Sequence, residues 1–148
     1  MNERCLFRGK RKDNDEWVYG WLRSLHSYDP QTKQISSIYF TEISDDLRSR
    51  ADIIVDYKTV GQYTGLEDKN GKLIFEGDIL ESRASENKED WKKWVVTFSD
   101  GSFCFEREIP RKRKHKYEQN LLCIDEIELY GLIVIGNIHD DDLLEVEI

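Results

Sequence analysis

A chain of 148 residues holds one compact domain or two small lobes, and its 39% hydrophobic and 11% aromatic content suffices for a core, which excludes wholesale disorder. Charged residues make up 35% and the formal net charge is −8, so indiscriminate coating of DNA or RNA is disfavoured, because phosphate binding rests on Lys and Arg. No apolar run approaches the roughly 20 residues that span a bilayer, and the polar opening from Met1 to Lys10 does not read as a secretory signal.

Leu6 and Phe7, the polar turn Arg11 to Asp15 and then Trp17 to Leu22 predict an N-terminal β-hairpin. Trp17, Tyr19 and Trp21 fall at period two and therefore share one strand face, with Val18 and Leu22 on the other. An aromatic at every second position is expected to be the buried face. Ser27 to Gln31 reads as a loop around Pro30. Ile35 to Thr41 reads as a strand, Glu42 to Ser49 as a short helical turn, and Ile53 to Val55 as a short strand.

The segment from Thr59 to Leu80 is the most informative. Gly61, Gly65, Gly71 and Gly77 punctuate short apolar-alternating runs, and Asn70-Gly71 is the strongest short-range hairpin signal, since both residues accept positive φ. A bend or bulge is expected at Gly77, where the strand pattern of Leu73 to Phe75 passes into Asp78 to Glu81. Ser82 to Asp90 is a polar loop. Trp94 to Phe98 and Phe103 to Phe105 form a second hairpin about Asp100-Gly101. Ile109 to Gln119 is charged and reads as a loop. Ile124, Ile127 and Leu129 fit helix or strand equally, and Leu132 to Ile138 is an apolar run of the buried-strand kind.

The sum is a mainly β chain with little helix. The core is expected to be an SH3-like or open β-barrel over about residues 59–106, with the N-terminal hairpin packed against it and short C-terminal strands. It is read as a single domain, 1–148, with two sub-lobes at 1–58 and 59–148. Cys5, Cys104 and Cys123 are odd in number and form no C-x-x-C motif. They suit small buried hydrophobes of a reducing compartment, so the expected location is the cytoplasm.

Three blocks in this order carry a family resemblance. Phe7 to Lys10 followed by Glu16 to Gly20 resembles the opening of the YopX family of small phage and prophage proteins. Val60 to Leu66, Asp68 to Lys72 and Glu76 to Ile79 are similar to its central signature. Val134 to Ile138, with Leu143-Leu144, resembles its closing motif. That motif usually continues with Tyr and an Asn-Pro pair, where this chain has His139 and Asp140 to Asp142. The resemblance implies a mostly β fold and a phage or prophage origin in a bacterial host. It supplies no catalytic residues.

Candidate chemistry is sparse. The run Arg111, Lys112, Arg113, Lys114, His115 and Lys116 stands out. From Arg107 to Glu118, six Arg and Lys residues face two acids, a local potential that attracts phosphate or an acidic partner. Phe103, Phe105 and Tyr117 lie close enough in sequence to offer base stacking. His139, Asp140, Asp141 and Asp142, with Glu145 and Glu147 nearby, are oxygen-rich enough for a hard divalent cation and hence for a metal-dependent hydrolase. Three consecutive aspartates, however, point different ways, and a solvated acidic turn is the preferred reading. Glu76 and Asp78 would share a face on a continuous strand as an acid–base pair. Asp78 beside Gly77 is better read as a hydrogen-bond acceptor for turn amides. No metal-ligand spacing of His, nucleophile elbow, Walker loop or Rossmann fingerprint is present.

The functional expectation is a non-catalytic binding or assembly module without a cofactor. It would dock on a host or phage macromolecule or on copies of itself, away from membranes. Nucleic-acid binding through Arg111 to Lys116 is one alternative, and metal-dependent hydrolysis at the acidic cluster is another.

Overall fold

The computed structural model describes residues 6–31, 34–42, 52–108 and 117–140. The chain divides into two compact units, Met1–Tyr63 and Thr64–Ile148.

In the first unit, β1 (Phe7–Lys10), β2 (Trp17–Asp29), β3 (Gln34–Glu42), β4 (Asp52–Val55) and the start of β5 (Gly61–Glu67) lie in the order β4-β3-β2-β1-β5. Every pairing is antiparallel. The expected N-terminal hairpin is present, with Lys10 opposite Trp17. Its turn is held by local polar groups. Arg11 N–H donates to the Glu16 carbonyl at 2.9 Å, Asp15 adopts φ 59°, and the Glu16 N–H donates to Asn14 Oδ1 at 3.0 Å. Asp and Asn serve here because their short side chains replace a backbone acceptor and tolerate the left-handed region.

Strand β2 runs to Asp29, through part of the segment expected to be a loop. Pro30 favours an extended predecessor, and Asp29 meets that preference as the last residue of a strand. Proline, having no N–H, then falls just beyond the ladder. The helical turn expected from Glu42 to Ser49 lies outside the described residues, apart from Glu42, which ends β3.

The aromatic row is not the buried face. Val18, Ile53 and Val55 form the core of this unit, with Phe7, Tyr57 and Val60 packed on them. Tyr19, on the opposite face, is 45% exposed, and Trp17 and Trp21 are half-buried. Period two was correctly legible, but periodicity alone does not say which face turns inward. The β-branched residues Val18, Ile53 and Val55 take the inner side. On the outer side the Arg8 guanidinium lies 4.9 Å and the Lys10 ammonium 5.5 Å from the centre of the Trp17 ring, an arrangement that cation–π attraction favours.

In the second unit, β6 (Leu73–Phe75) follows β5. A five-stranded antiparallel sheet is then built from β7 (Asp78–Ser82), β8 (Lys93–Ser99), β9 (Ser102–Glu108), β10 (Tyr117–Leu121) and β11 (Leu132–Asn137) in the order β10-β9-β8-β7-β11. The mainly β reading holds. The strands between residues 59 and 106 are, however, divided between two sheets and do not close into a barrel. Ile74, Leu80, Trp94, Val96, Phe105, Leu122, Ile127 and Leu132 make one buried cluster. Trp94 meets Phe105 edge-on with ring centres 5.5 Å apart, the geometry that the aromatic quadrupole prefers.

Asp100-Gly101 turns β8 into β9 as expected. Ser99 pairs with Ser102, and the two turn residues have φ of 51° and 83°, the signature of a type I′ hairpin. The strand β10 begins at Tyr117, inside the charged stretch expected to be a loop. The ambiguous segment at Ile124 resolves as helix α1 (Ile124–Tyr130). Asp125 and Glu126 in its first turn suit the positive end of the helix dipole. Its end is set by Gly131 at φ 57°, whose N–H returns to the carbonyls of Ile127 and Glu128, as left-handed caps do. No helix among the described residues is long and apolar enough to cross a membrane.

Replacing Gly131 by Ala imposes a left-handed φ on a side chain and sets its Cβ 3.1 Å from the Ala84 backbone nitrogen. The expected loss in urea denaturation is about 1–2 kcal/mol. Asp13 accepts from Arg11 Nε at 2.9 Å and from its terminal nitrogen at 2.7 Å. This charge-assisted hydrogen bonding holds its carboxyl below the ordinary 3.8. The resulting small stabilisation is complete above that ordinary value and disappears as the pH falls through the lowered one. An NMR titration is expected to find the Asp13 carboxyl moved up toward its ordinary position in Arg11→Gln.

Candidate functional site

The polar side chains of the central and closing sequence blocks are the natural place to look for chemistry, and three of them are buried. Asp68 follows β5 directly and is 6% exposed. Its Oδ1 accepts from the backbone N–H of Asn70 at 2.8 Å and of Lys72 at 2.9 Å. Its Oδ2 accepts from the N–H of Val134 in β11 at 2.9 Å. The same loop is closed by main-chain bonds, from Asp68 N–H to the Lys72 carbonyl and from Gly71 N–H to the Asp68 carbonyl. A further bond from Lys69 N–H reaches the Leu132 carbonyl. The carboxylate is thus the hub of a loop and its tie to a distant strand.

Asp78 opens β7 after the turn at Glu76-Gly77 and is 1% exposed. Its Oδ2 accepts from the Phe75 N–H at 2.8 Å, closing that turn as Asp does in bends. Glu76 is half-buried, and the turn at Gly77 breaks the alternation that an acid–base pair on one strand face would need. Asn137 lies directly opposite Asp78 in the β7–β11 ladder. Its Oδ1 accepts from the N–H groups of His139 at 2.9 Å and Asp140 at 3.1 Å, and its Nδ2 donates to Asp140 Oδ2 at 2.8 Å. Asp68, Asp78 and Asn137 therefore share one task. Each uses a short polar side chain to fix main chain, Asp68 at Val134 of β11, Asn137 just past the end of that strand and Asp78 at the turn between β6 and β7.

The residues singled out from sequence fall as follows. Arg111, Lys112, Arg113, Lys114 and Lys116 sit between β9 and β10 in sequence, outside the described residues. Phe105, offered as a stacking partner for them, is completely buried in the core, because its strand faces the cluster around Trp94. Phe103 is half-buried and packs edge-on against Phe98 with ring centres 5.1 Å apart. Within the acidic cluster, His139 and Asp140 form a turn capped by Asn137, while Asp141, Asp142, Glu145 and Glu147 lie outside the described residues. The described residues hold no group of three or more His, Cys, Asp or Glu side chains placed to bind a metal ion. Cys104 is buried, Cys123 is half-buried and both thiols are free. Cys5 lies outside the described residues.

Sequence reasoning missed Asp68 and Asn137. The signal was present in each case, an Asx residue directly after an extended run and followed by turn-forming residues.

These features describe a small, mainly β protein of antiparallel sheets in which the buried Asp68, Asp78 and Asn137 of the motif hold its own main chain. The sequence profile of the YopX family, described as YopX protein, matches residues 6–145, and the chain belongs to that family. It is similar to the crystal structure of protein EF1440 from Enterococcus faecalis, with a TM-score of 0.55 and 26% identity over 93% of this chain and 96% of that one. No curated protein matches the chain.

If the signature is scaffold, its residues carry stability. Asp68→Ala strands three backbone donors and is expected to cost about 3 kcal/mol in urea denaturation, whereas Asp140→Ala, at an exposed turn, costs below about 1 kcal/mol. An Asp68→Ala protein as stable as the parent would refute the scaffold assignment.

Proposed function

We propose that this YopX-family protein is a non-catalytic binding or assembly module, encoded by a phage or prophage and acting in the bacterial cytoplasm. The observation that carries this reading is the fate of Asp68, Asp78 and Asn137. These three buried side chains of the motif hold main chain, and the described residues hold no group of three or more His, Cys, Asp or Glu placed to bind a metal ion. An enzyme of this size would be expected to place its reactive groups where a substrate can reach them. Two features suit docking instead, one of the described structure and one of the sequence alone. One is the outer face of the first unit, where Tyr19 is exposed beside half-buried Trp17 and Trp21; aromatic rings are enriched in interface anchors. The other is the run Arg111 to Lys116. Self-association into a homo-oligomer would also cover sheet edges.

A second reading, nucleic-acid binding through Arg111, Lys112, Arg113, Lys114 and Lys116, is favoured by the local excess of cations on an otherwise acidic chain. It requires affinity for single-stranded DNA or RNA that drops steeply with salt. A metal-dependent hydrolase at Asp140 to Asp142 draws little support, since Asp140 is engaged by Asn137.

Three measurements separate these readings. Sedimentation across a range of concentrations, with affinity purification from phage-carrying cells, is expected to return a self-assembled species or a macromolecular partner. A strict monomer with no partner removes the module reading. Electrophoretic retardation of single-stranded oligonucleotides at low salt, unchanged when Arg111 to Lys114 become Ser, removes the basic run. A melting temperature indifferent to millimolar Mg²⁺ or Mn²⁺ removes the hydrolase.

A further inference from the structure

We propose that Asn70 is a latent deamidation site which the Asp68 loop holds in check, and that its conversion loosens the tie between that loop and β11. This inference is independent of the binding reading.

Asn70 is the only asparagine in the sequence followed by glycine, and both residues are exposed. In such a pair the main-chain nitrogen of the glycine can attack Cγ of the asparagine. The N–Cγ bond forms, the Cγ–Nδ2 bond breaks, and ammonia leaves with the proton given up by the glycine amide. Water then opens the five-membered imide at either carbonyl, giving aspartate or isoaspartate. No oxidant, metal or enzyme is needed. Glycine makes this possible because no Cβ obstructs the approach. Around Gly71 the nearest group to a hypothetical Cβ is Glu67 Oε2, at 3.8 Å.

The native loop withholds the nucleophile. The Gly71 N–H donates to the Asp68 carbonyl at 2.9 Å, so its proton is retained and its nitrogen is aimed back into the turn. The flanking N–H groups of Asn70 and Lys72 are both fixed on Asp68 Oδ1. Three consecutive amides are therefore immobilised by one residue, and attack on Cγ requires the loop to open. The rate of modification at Asn70 is then a measure of how often the hairpin opens.

The product works against the loop that formed it. Aspartate at position 70 puts a second carboxylate two residues from the buried one, and like charges at such range repel. Isoaspartate adds a main-chain carbon between positions 70 and 71, which shifts the Gly71 and Lys72 amides away from Asp68. Either change weakens the carboxylate's position and with it the bond to Val134. Slow ageing at one exposed residue would thus reach, through Asp68, a strand whose Val134 lies 66 residues beyond that carboxylate in sequence.

The test is peptide mapping by mass spectrometry of the full chain during incubation in mildly alkaline buffer, following the replacement of NH₂ by OH at Asn70. The folded protein is expected to react at least about tenfold more slowly than the same protein in denaturing urea, the factor that an opening free energy of about 1.4 kcal/mol imposes. Asp68→Asn keeps the side-chain shape but loses the acceptor for Val134. It is expected to react faster than the parent while near-ultraviolet circular dichroism still reports a folded protein. Should Asp68→Asn fail to fold, subdenaturing urea applied to the parent gives the same comparison, with rates rising before global unfolding. A folded parent as fast as the denatured chain overturns the proposal, as does a rate insensitive to both the variant and subdenaturing urea. Asn70→Asp made directly is expected to unfold at lower urea than the parent, and an unchanged midpoint would overturn the proposed effect on β11.

Discussion

One carboxylate organises the second unit. Asp68 is nearly inaccessible, and an ionised group in such a place is tolerated only where hydrogen bonds replace its lost water. Three backbone N–H groups do so. Two of them belong to its own loop, so the chain reverses between β5 and β6. The third belongs to β11, which places that strand against the loop. β11 also pairs with β7, and beyond a register shift between Val134 and Gly136 it sets Asn137 opposite Asp78. A local turn preference and a long-range strand placement are therefore one interaction. An amide or hydroxyl could satisfy part of this set, but only a carboxylate offers two acceptor oxygens with no competing donor.

That arrangement explains why the most distinctive stretch of the sequence says so little about chemistry. Asp, Asn and Gly crowd the segment from Asp68 to Asp78, and the same residue types populate catalytic loops. Their use here differs in direction. Both oxygens of Asp68 and one of Asp78 point at main-chain amides of the protein.

Much of the fold was legible in the sequence. Asp100-Gly101 specified its turn type because both positions need positive φ, and a two-residue connection leaves no alternative register. Asn70-Gly71 marked a reversal but not its geometry. Only Gly71 has positive φ, and the loop is wider because Asp68 captures it from within. The aromatic row shows the limit of periodicity. Trp17, Tyr19 and Trp21 share a face as their spacing demands, yet the smaller Val18 is the buried residue, since facing Ile53 and Val55 decides which side excludes water. The helix at Ile124 was undecidable from seven residues whose apolar spacing fits two periods. Tertiary contact of Ile127 with the cluster around Trp94 resolves it.

The division between the two units falls within β5 and not in a linker. Gly61 and Gln62 pair with Arg8 and Phe7, so the opening hairpin borrows its final neighbour from the strand that leads onward. A fragment truncated at residue 58 would expose the bare flank of β1, an invitation to intermolecular strand addition and precipitation. Recombinant dissection of this protein should therefore retain the strand through Glu67, even at the expense of a ragged carboxyl end.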